Sequence, residues 1–189
     1  KETPTFNPNK YFVTTSITRD SKGEIWASSL NKIYHYSEEN LSFENIPLNP
    51  PADKASFRIT VIYAVDSENI VIGTQDHGVL IYNRRNKITS ELKFDTKQPV
   101  FVRQFRKRGN DELWVASESG VYVYNLKTKT TVNLKKNYND PYAISDNAAY
   151  SITIDKENGI WIGTYFGGIN YHQKQYTQFK KYFPQKGQN

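Results

Sequence analysis

The sequence predicts an all-β fold of four small, four-stranded antiparallel sheets, and three observations predict it. One short pattern recurs four times; its clearest copy is Asn158-Gly159-Ile160-Trp161-Ile162-Gly163-Thr164, followed by Gly167-Gly168-Ile169-Asn170-Tyr171. Aligned on the Trp position, residues 26, 71, 114 and 161 lie 45, 43 and 47 apart, and a β-type unit repeating every 40–50 residues or so builds the blades of a propeller. Aromatic residues make up 14% of the chain against a hydrophobic share of only 37%, a balance that suits thin pleated sheets rather than a thick helical core. No stretch sustains apolar residues at i, i+3, i+4 and i+7, so no long helix is expected. Only residues 51–55 are given a single helical turn.

Each blade divides into strands A to D. In the first, strand A is expected at 12–18. A turn at Asp20-Ser21-Lys22-Gly23 follows, where Asp and Gly supply the turn chemistry. Strand B then covers 24–28, C 32–36 and D 41–46. The Pro-rich segment 47–54 cannot be a central strand, because proline has no N–H for the ladder. The second blade places A at 58–65, B at 69–74, C at 79–83 and D at 88–94. The third places them at 100–107, 112–117, 121–125 and 130–134. The fourth follows a long lead-in, 136–147, with strands at 149–154, 159–164, 168–171 and 176–183. Blades of about 11–46, 58–94, 100–134 and 148–183 thus make residues 1–189 one propeller fragment, a partial propeller of four blades.

The repeated residues have structural reasons. Trp26, Trp114 and Trp161 on strand B plug the space between stacked blades, each needing a partner for its indole N–H; Val71 replaces the Trp in the second blade. Gly163 lies one residue before the end of the fourth strand B. Gly78, Gly120, Gly167 and Gly168 sit in B–C turns, where a positive φ is readily required.

The bulk numbers exclude more than they assign. With no Cys there is no disulfide framework, thiolate metal site or cysteine nucleophile. No apolar run approaches the roughly 20 residues that span a bilayer. The chain starts at Lys1 without Met, so a processed product or an excised piece is expected, with any export signal encoded elsewhere. The net charge of +6 suits nucleic acid, anionic lipid or acidic sugars. The basic residues are spread along the chain, which favours a solvated surface that protects exposed strands.

The run Tyr150-Ser151-Ile152-Thr153-Ile154-Asp155, then Glu157 to Thr164, then Gly167 to Tyr171 resembles the two-component regulator propeller repeat, and Ile144-Ser145-Asp146-Asn147 resembles its lead-in. All four units fit. The departures are Val71 for Trp, Ala27-Ser28 and Ala116-Ser117 for Gly-Thr, and Lys32 where a turn glycine would stand. The resemblance implies the periplasmic sensor region of a Bacteroidetes hybrid two-component system. There, propellers precede a β-sandwich, a membrane helix and a cytoplasmic histidine kinase, and oligosaccharides switch on genes for using the parent polysaccharide. The kinase and the DNA-binding parts are not in this sequence.

In such blades the A–B and C–D turns share one end, and the B–C turns and D–A linkers share the other. The second end carries the variable material, where binding residues concentrate on a rigid scaffold. Tyr165 and Phe166 offer a platform for a sugar ring; the bland alternative is packing under the neighbouring linker. Arg103, in a basic stretch with Arg106, Lys107 and Arg108, is suited to fork onto a carboxylate or sulfate, whereas Lys107 and Arg108 read as solvated turn residues. Gln75, Asp76 and His77 form another B–C turn. His35 and His172 fall on strands C, where a structural histidine is the default. No serine-nucleophile motif, metal-spaced cluster, phosphate loop or nucleic-acid module is present. No catalytic residue, cofactor, metal or nucleic-acid partner is therefore expected. The expected partners are an oligosaccharide, a second copy meeting open blade ends, and the rest of the receptor. Rival readings are a purely structural or dimerising scaffold and, last, a propeller lyase or hydrolase.

Overall fold

The computed structural model describes residues 13–50, 57–94, 96 and 100–173. The expected helical turn at 51–55 and the fourth strand D at 176–183 lie outside them. The described residues form fifteen strands and no helix. They are β1 (Ser16–Arg19), β2 (Ile25–Ser29), β3 (Lys32–Ser37), β4 (Ser42–Ile46), β5 (Ile59–Ala64), β6 (Asn69–Thr74), β7 (Val79–Asn83) and β8 (Ile88–Leu92). They continue with β9 (Val102–Arg108), β10 (Glu112–Ser117), β11 (Gly120–Asn125), β12 (Thr131–Leu134), β13 (Ala149–Ile154), β14 (Ile160–Thr164) and β15 (Ile169–His172). Hydrogen bonding joins β1 to β4, β5 to β8, β9 to β12 and β13 to β15 into four separate sheets, each pairing its strands in chain order. These are four β-propeller blades.

The chain forms two compact units, Lys1–Val102 with the first two blades and Arg103–Asn189 with the last two, the boundary falling in β9. Each unit holds a core between its pair of blades. In the first, Trp26 and Ile33 of one sheet meet Ile62, Ile70, Ile72 and Leu80 of the next. In the second, Trp114, Ala116 and Val121 meet Ile152, Ile160 and Ile162. Register explains the selection. Ile62 pairs with Ile72 and Ile72 with Leu80, so the three side chains share one face of the sheet.

The A–B turns of the first, second and fourth blades are built on aspartate. Asp20 Oδ1 accepts the backbone N–H groups of Lys22 (2.9 Å) and Glu24 (3.0 Å). Asp155 Oδ1 does the same for Glu157 and Gly159, at 3.1 and 2.6 Å. The other carboxylate oxygen takes the indole N–H six residues on: Trp26 to Asp20 at 3.4 Å and Trp161 to Asp155 at 2.9 Å. One side chain therefore closes the turn and supplies the partner that a strand-B Trp requires. In the third blade Trp114 instead donates to Glu112 Oε2 at 2.8 Å.

Four expectations are corrected. Trp26 and Trp114 are 2% and 1% exposed, but Trp161 is 40% exposed, because no described residue covers its side of the fourth blade. The residues in the Gly-Thr place of the first blade are Ser28-Ser29 and not Ala27-Ser28, since Thr18 pairs with Trp26 as Thr153 pairs with Trp161. Gly168 has φ +73°, whereas Gly167 is required by space: a Cβ there would run into Ser145 and Asp146. Arg108 is no solvated turn residue. Its guanidinium lies 4.9 Å over the Trp114 ring and donates from Nε to Glu112 at 2.6 Å.

Candidate functional site

In the second unit, the B–C turn of the fourth blade is held against its lead-in by side chains. Ser145 Oγ donates to the Gly167 carbonyl at 2.7 Å and accepts from Asn170 Nδ2 at 2.9 Å. The Ser145 N–H donates to Asn170 Oδ1 at 2.8 Å, and the Phe166 N–H to Asp146 Oδ2 at 3.0 Å. That bond from Phe166 is the main reason the Asp146 carboxyl sits below its ordinary pKa. The lead-in and the turn thus share one end of the blade, as the connectivity requires. Tyr165 and Phe166 are presented outward, 61% and 86% exposed, with their rings 4.4 Å apart edge to face.

Strand A adds a third ring. The pairing of β13 with β14 slips between Ala149 and Ser151, and the extra residue is Tyr150. A bulge re-aims a side chain, and here Tyr150 stacks on Tyr165 at 5.2 Å with a 30° interplanar angle. Arg103 completes the row. Its guanidinium lies 4.4 Å over the Tyr150 ring and donates to the Tyr150 hydroxyl at 3.1 Å. It also forms an ion pair with Glu118 in the B–C turn of the third blade. Tyr150 donates to the same carboxylate at 3.4 Å.

Cation, carboxylate and three aromatic rings therefore run side by side: Glu118, Arg103, Tyr150, Tyr165, Phe166. The structure gathers Arg103, Tyr165 and Phe166, which the sequence places 62 and 63 residues apart. Sequence reasoning missed Tyr150, whose only signal is a large polar aromatic at the start of strand A. It also missed that Glu118 neutralises Arg103. Chemically, the row combines flat apolar faces with adjoining donors and an acceptor, the mixture that orients a polar ring on a surface.

The remaining candidates lie in the first unit. The Gln75 N–H donates to the Arg58 carbonyl at 3.0 Å. The His77 N–H donates to Thr74 Oγ1 at 2.9 Å, and His77 Nε2 lies 3.8 Å from Asp76 Oδ1. This is a closed B–C turn with an exposed Asp76. The other histidines pack on tryptophans: His35 on Trp26 at 4.6 Å and His172 on Trp114 at 5.5 Å. Burial pushes the His172 pKa down, helped by the Arg108 charge and opposed by Glu112. Among the described residues no three His, Cys, Asp or Glu gather as a metal site would require, and no helix is long and apolar enough to cross a membrane.

The lead-in, β13, β14 and the aromatic turn coincide with a known repeat. Residues 143–166 match the family model of the two component regulator propeller. That repeat includes Ser145, Asp146, Tyr150, Trp161, Tyr165 and Phe166, and the three earlier blades follow the same strand plan. No curated protein matches the chain. Among solved structures, it is similar to an extracellular domain assigned to the hybrid two component system BT4673 from B. thetaiotaomicron. The identity is 20% and the TM-score 0.74, over 87% of this chain and 22% of that one. A second such domain, BT3049 from the same organism, gives 20% identity and a TM-score of 0.52 over 84% and 26% of the two chains. YCF48 bound to D1 peptide gives 14% and 0.68, over 87% and 51%. These likenesses carry the fold, and the chain spans about a fifth of the BT4673 domain.

Proposed function

We propose that this chain is a ligand-binding part of the extracytoplasmic, periplasmic sensor of a hybrid two-component histidine kinase. It binds an oligosaccharide on the row Arg103, Tyr150, Tyr165 and Phe166, and so helps to control polysaccharide-utilisation genes. It acts as a binding module rather than an enzyme, takes no cofactor and does not itself contact nucleic acid. The repeat at 143–166 and the folds of the two B. thetaiotaomicron extracellular domains support the sensor setting.

The observation that carries the ligand class is the exposed stack. Tyr165 and Phe166 offer apolar faces for the C–H side of a sugar ring, and Arg103 with Glu118 offers donors and an acceptor to its hydroxyls. An acidic sugar gains Arg103 by displacing Glu118, at the cost of leaving that carboxylate near a second anion.

Titration calorimetry of the folded chain with matched neutral and uronic or sulfated oligosaccharides tests this. Binding that Tyr165→Ala weakens several-fold to about tenfold, the worth of one aromatic contact, is the expected outcome. A folded chain that binds none of the panel sinks the ligand reading. A second reading, a scaffold that holds receptor chains together, is favoured by the open Trp161 face. Signalling by the whole receptor that survives both Arg103→Ala and Tyr165→Ala would select it.

A further inference from the structure

The strand-B tryptophan meets two different fates in the same fold. Trp26 and Trp114 are each covered by the next blade, through Ile62 and Ile72 in the first unit and Ile152 and Ile162 in the second. No described residue covers the matching face of the fourth blade. Trp161, Tyr171 and Ile169 are 40%, 46% and 76% exposed, and the two rings lie 4.5 Å apart. Tyr171 pairs with Trp161 and Ile169 with Gly163, so they share that face.

On the first blade it is the opposite face that no described residue covers. Register fixes its residues: Thr18 pairs with Trp26 as Tyr63 pairs with Val71 and Thr153 with Trp161. Ile17 therefore stands where Ile62 and Ile152 stand, the positions that cover the preceding Trp. It is 65% exposed, and Phe43 on the same face is 39% exposed.

Charge adds a second, independent match. In the first unit Asp20, while accepting from Trp26, also receives Arg84 of the covering blade at 2.7 Å. Asp155 accepts from Trp161 in the same way, yet among the described residues no basic side chain pairs with it. Arg19 lies two residues along β1 from Ile17, on the same face, exposed and without an ion pair among the described residues. Its register counterpart in the second blade is Ala64, whose N–H reaches Thr18 Oγ1 of the blade it covers at 3.4 Å. The counterpart of Thr18 is Thr153, two residues before Asp155. Seated in that register, Arg19 arrives beside Asp155.

We propose that the Ile17–Arg19 face of one copy of this chain seats on the Trp161–Asp155 face of a second copy. It does so in the register that already joins the first blade to the second and the third to the fourth. The contact is heterologous, one kind of face meeting the other, so it builds closed rings or open chains rather than an isologous pair. The interface stands whether or not the chain binds a sugar.

Sedimentation equilibrium of the full chain, paired with acrylamide quenching, tests it. Trp161 is the exposed member of the three tryptophans, so its fluorescence reports on the face directly. Mass should rise with concentration while quenching falls and emission shifts to the blue; Trp161→Phe should remove the optical change. Ile17→Asp and Arg19→Glu, both at exposed positions that leave the cores intact, should each weaken association by about tenfold or more, as loss of an interface contact does. A monomer at every concentration, or association that Ile17→Asp and Arg19→Glu leave unchanged, overturns the proposal. So does Trp161 becoming protected only in a longer chain that stays monomeric, which would make a further blade the occupant.

Discussion

Asp20 with Trp26 in the first unit and Asp155 with Trp161 in the second are the same device in two surroundings. In both, one carboxylate closes the A–B turn and accepts the indole N–H. Trp26 is then sealed by the second blade and overlain by Arg84 at 4.8 Å, while Trp161 stays 40% exposed. The local motif is therefore complete without the neighbour. The neighbour decides what the motif is worth, because the hydrophobic gain scales with area removed from water.

The largest expected difference is at the indoles. Trp26→Ala and Trp114→Ala should each cost about 3–5 kcal/mol, as large-to-small core changes do. Trp161→Ala should cost about 1 kcal/mol or less, nearer a surface change. Denaturant midpoints at low protein concentration measure both, and a Trp161→Ala loss as large as that of Trp26→Ala would break the comparison. Next come the covering residues. Ile62→Ala and Ile152→Ala should cost about 2–5 kcal/mol, while Ile17→Ala, at the same register position, should stay within about 0.5 kcal/mol.

The carboxylates come third. Asp20→Asn leaves Arg84, beside Trp26, with Glu24 as its remaining anionic partner and should cost about 1–3 kcal/mol. Asp155→Asn should cost clearly less. Acid sharpens the point. Burial raises the Asp20 pKa, but the Glu24 and Lys22 N–H groups, the Trp26 indole and Arg84 together pull it below 3.8. The Trp161 indole chiefly, with the Gly159 and Glu157 N–H groups and the Tyr171 hydroxyl, holds the Asp155 carboxyl below its ordinary value against an opposing desolvation. A carboxyl whose folded pKa is depressed lends stability above its unfolded value and loses it as pH falls through the folded one. The chain should therefore lose stability as pH drops below about 4, and Asp20→Asn should flatten that acid limb more than Asp155→Asn.

Strand positions were legible because they rest on local chemistry. The β6, β7, β10 and β13 bounds coincide with apolar runs between Asp- or Gly-bearing turns; most other ends move by a residue or two, while β1 begins only at Ser16, four residues past the expected start. Trp161 read as a plug like Trp26 and Trp114. Its exposure was not legible, because burial of a repeat face is settled by another blade's residues. In the candidate site, Tyr165 and Phe166 stood out as exposed aromatics beside turn glycines. Tyr150 did not, because a one-residue bulge and not the strand alternation aims it. The Arg103 to Glu118 pair joins a strand A to a B–C turn 15 residues on, a distance at which sequence carries no pairing signal. Arg108 was misjudged for a related reason: Glu112, four residues on, and Trp114 draw it down onto the sheet.

The clasp formed by Ser145 and Asp146 carries one more consequence. The segment that holds the aromatic turn is also the strap that joins the third blade to the fourth, and the Gly120 N–H of the third blade bonds to its Asn147 carbonyl at 2.8 Å. Displacing Phe166 therefore drags a hinge line rather than a free loop tip. Ser145→Ala should leave global stability almost unchanged, yet speed amide exchange at Tyr165 and at Gly120 together. Such paired loosening is the signature of a lever with both arms on one pivot.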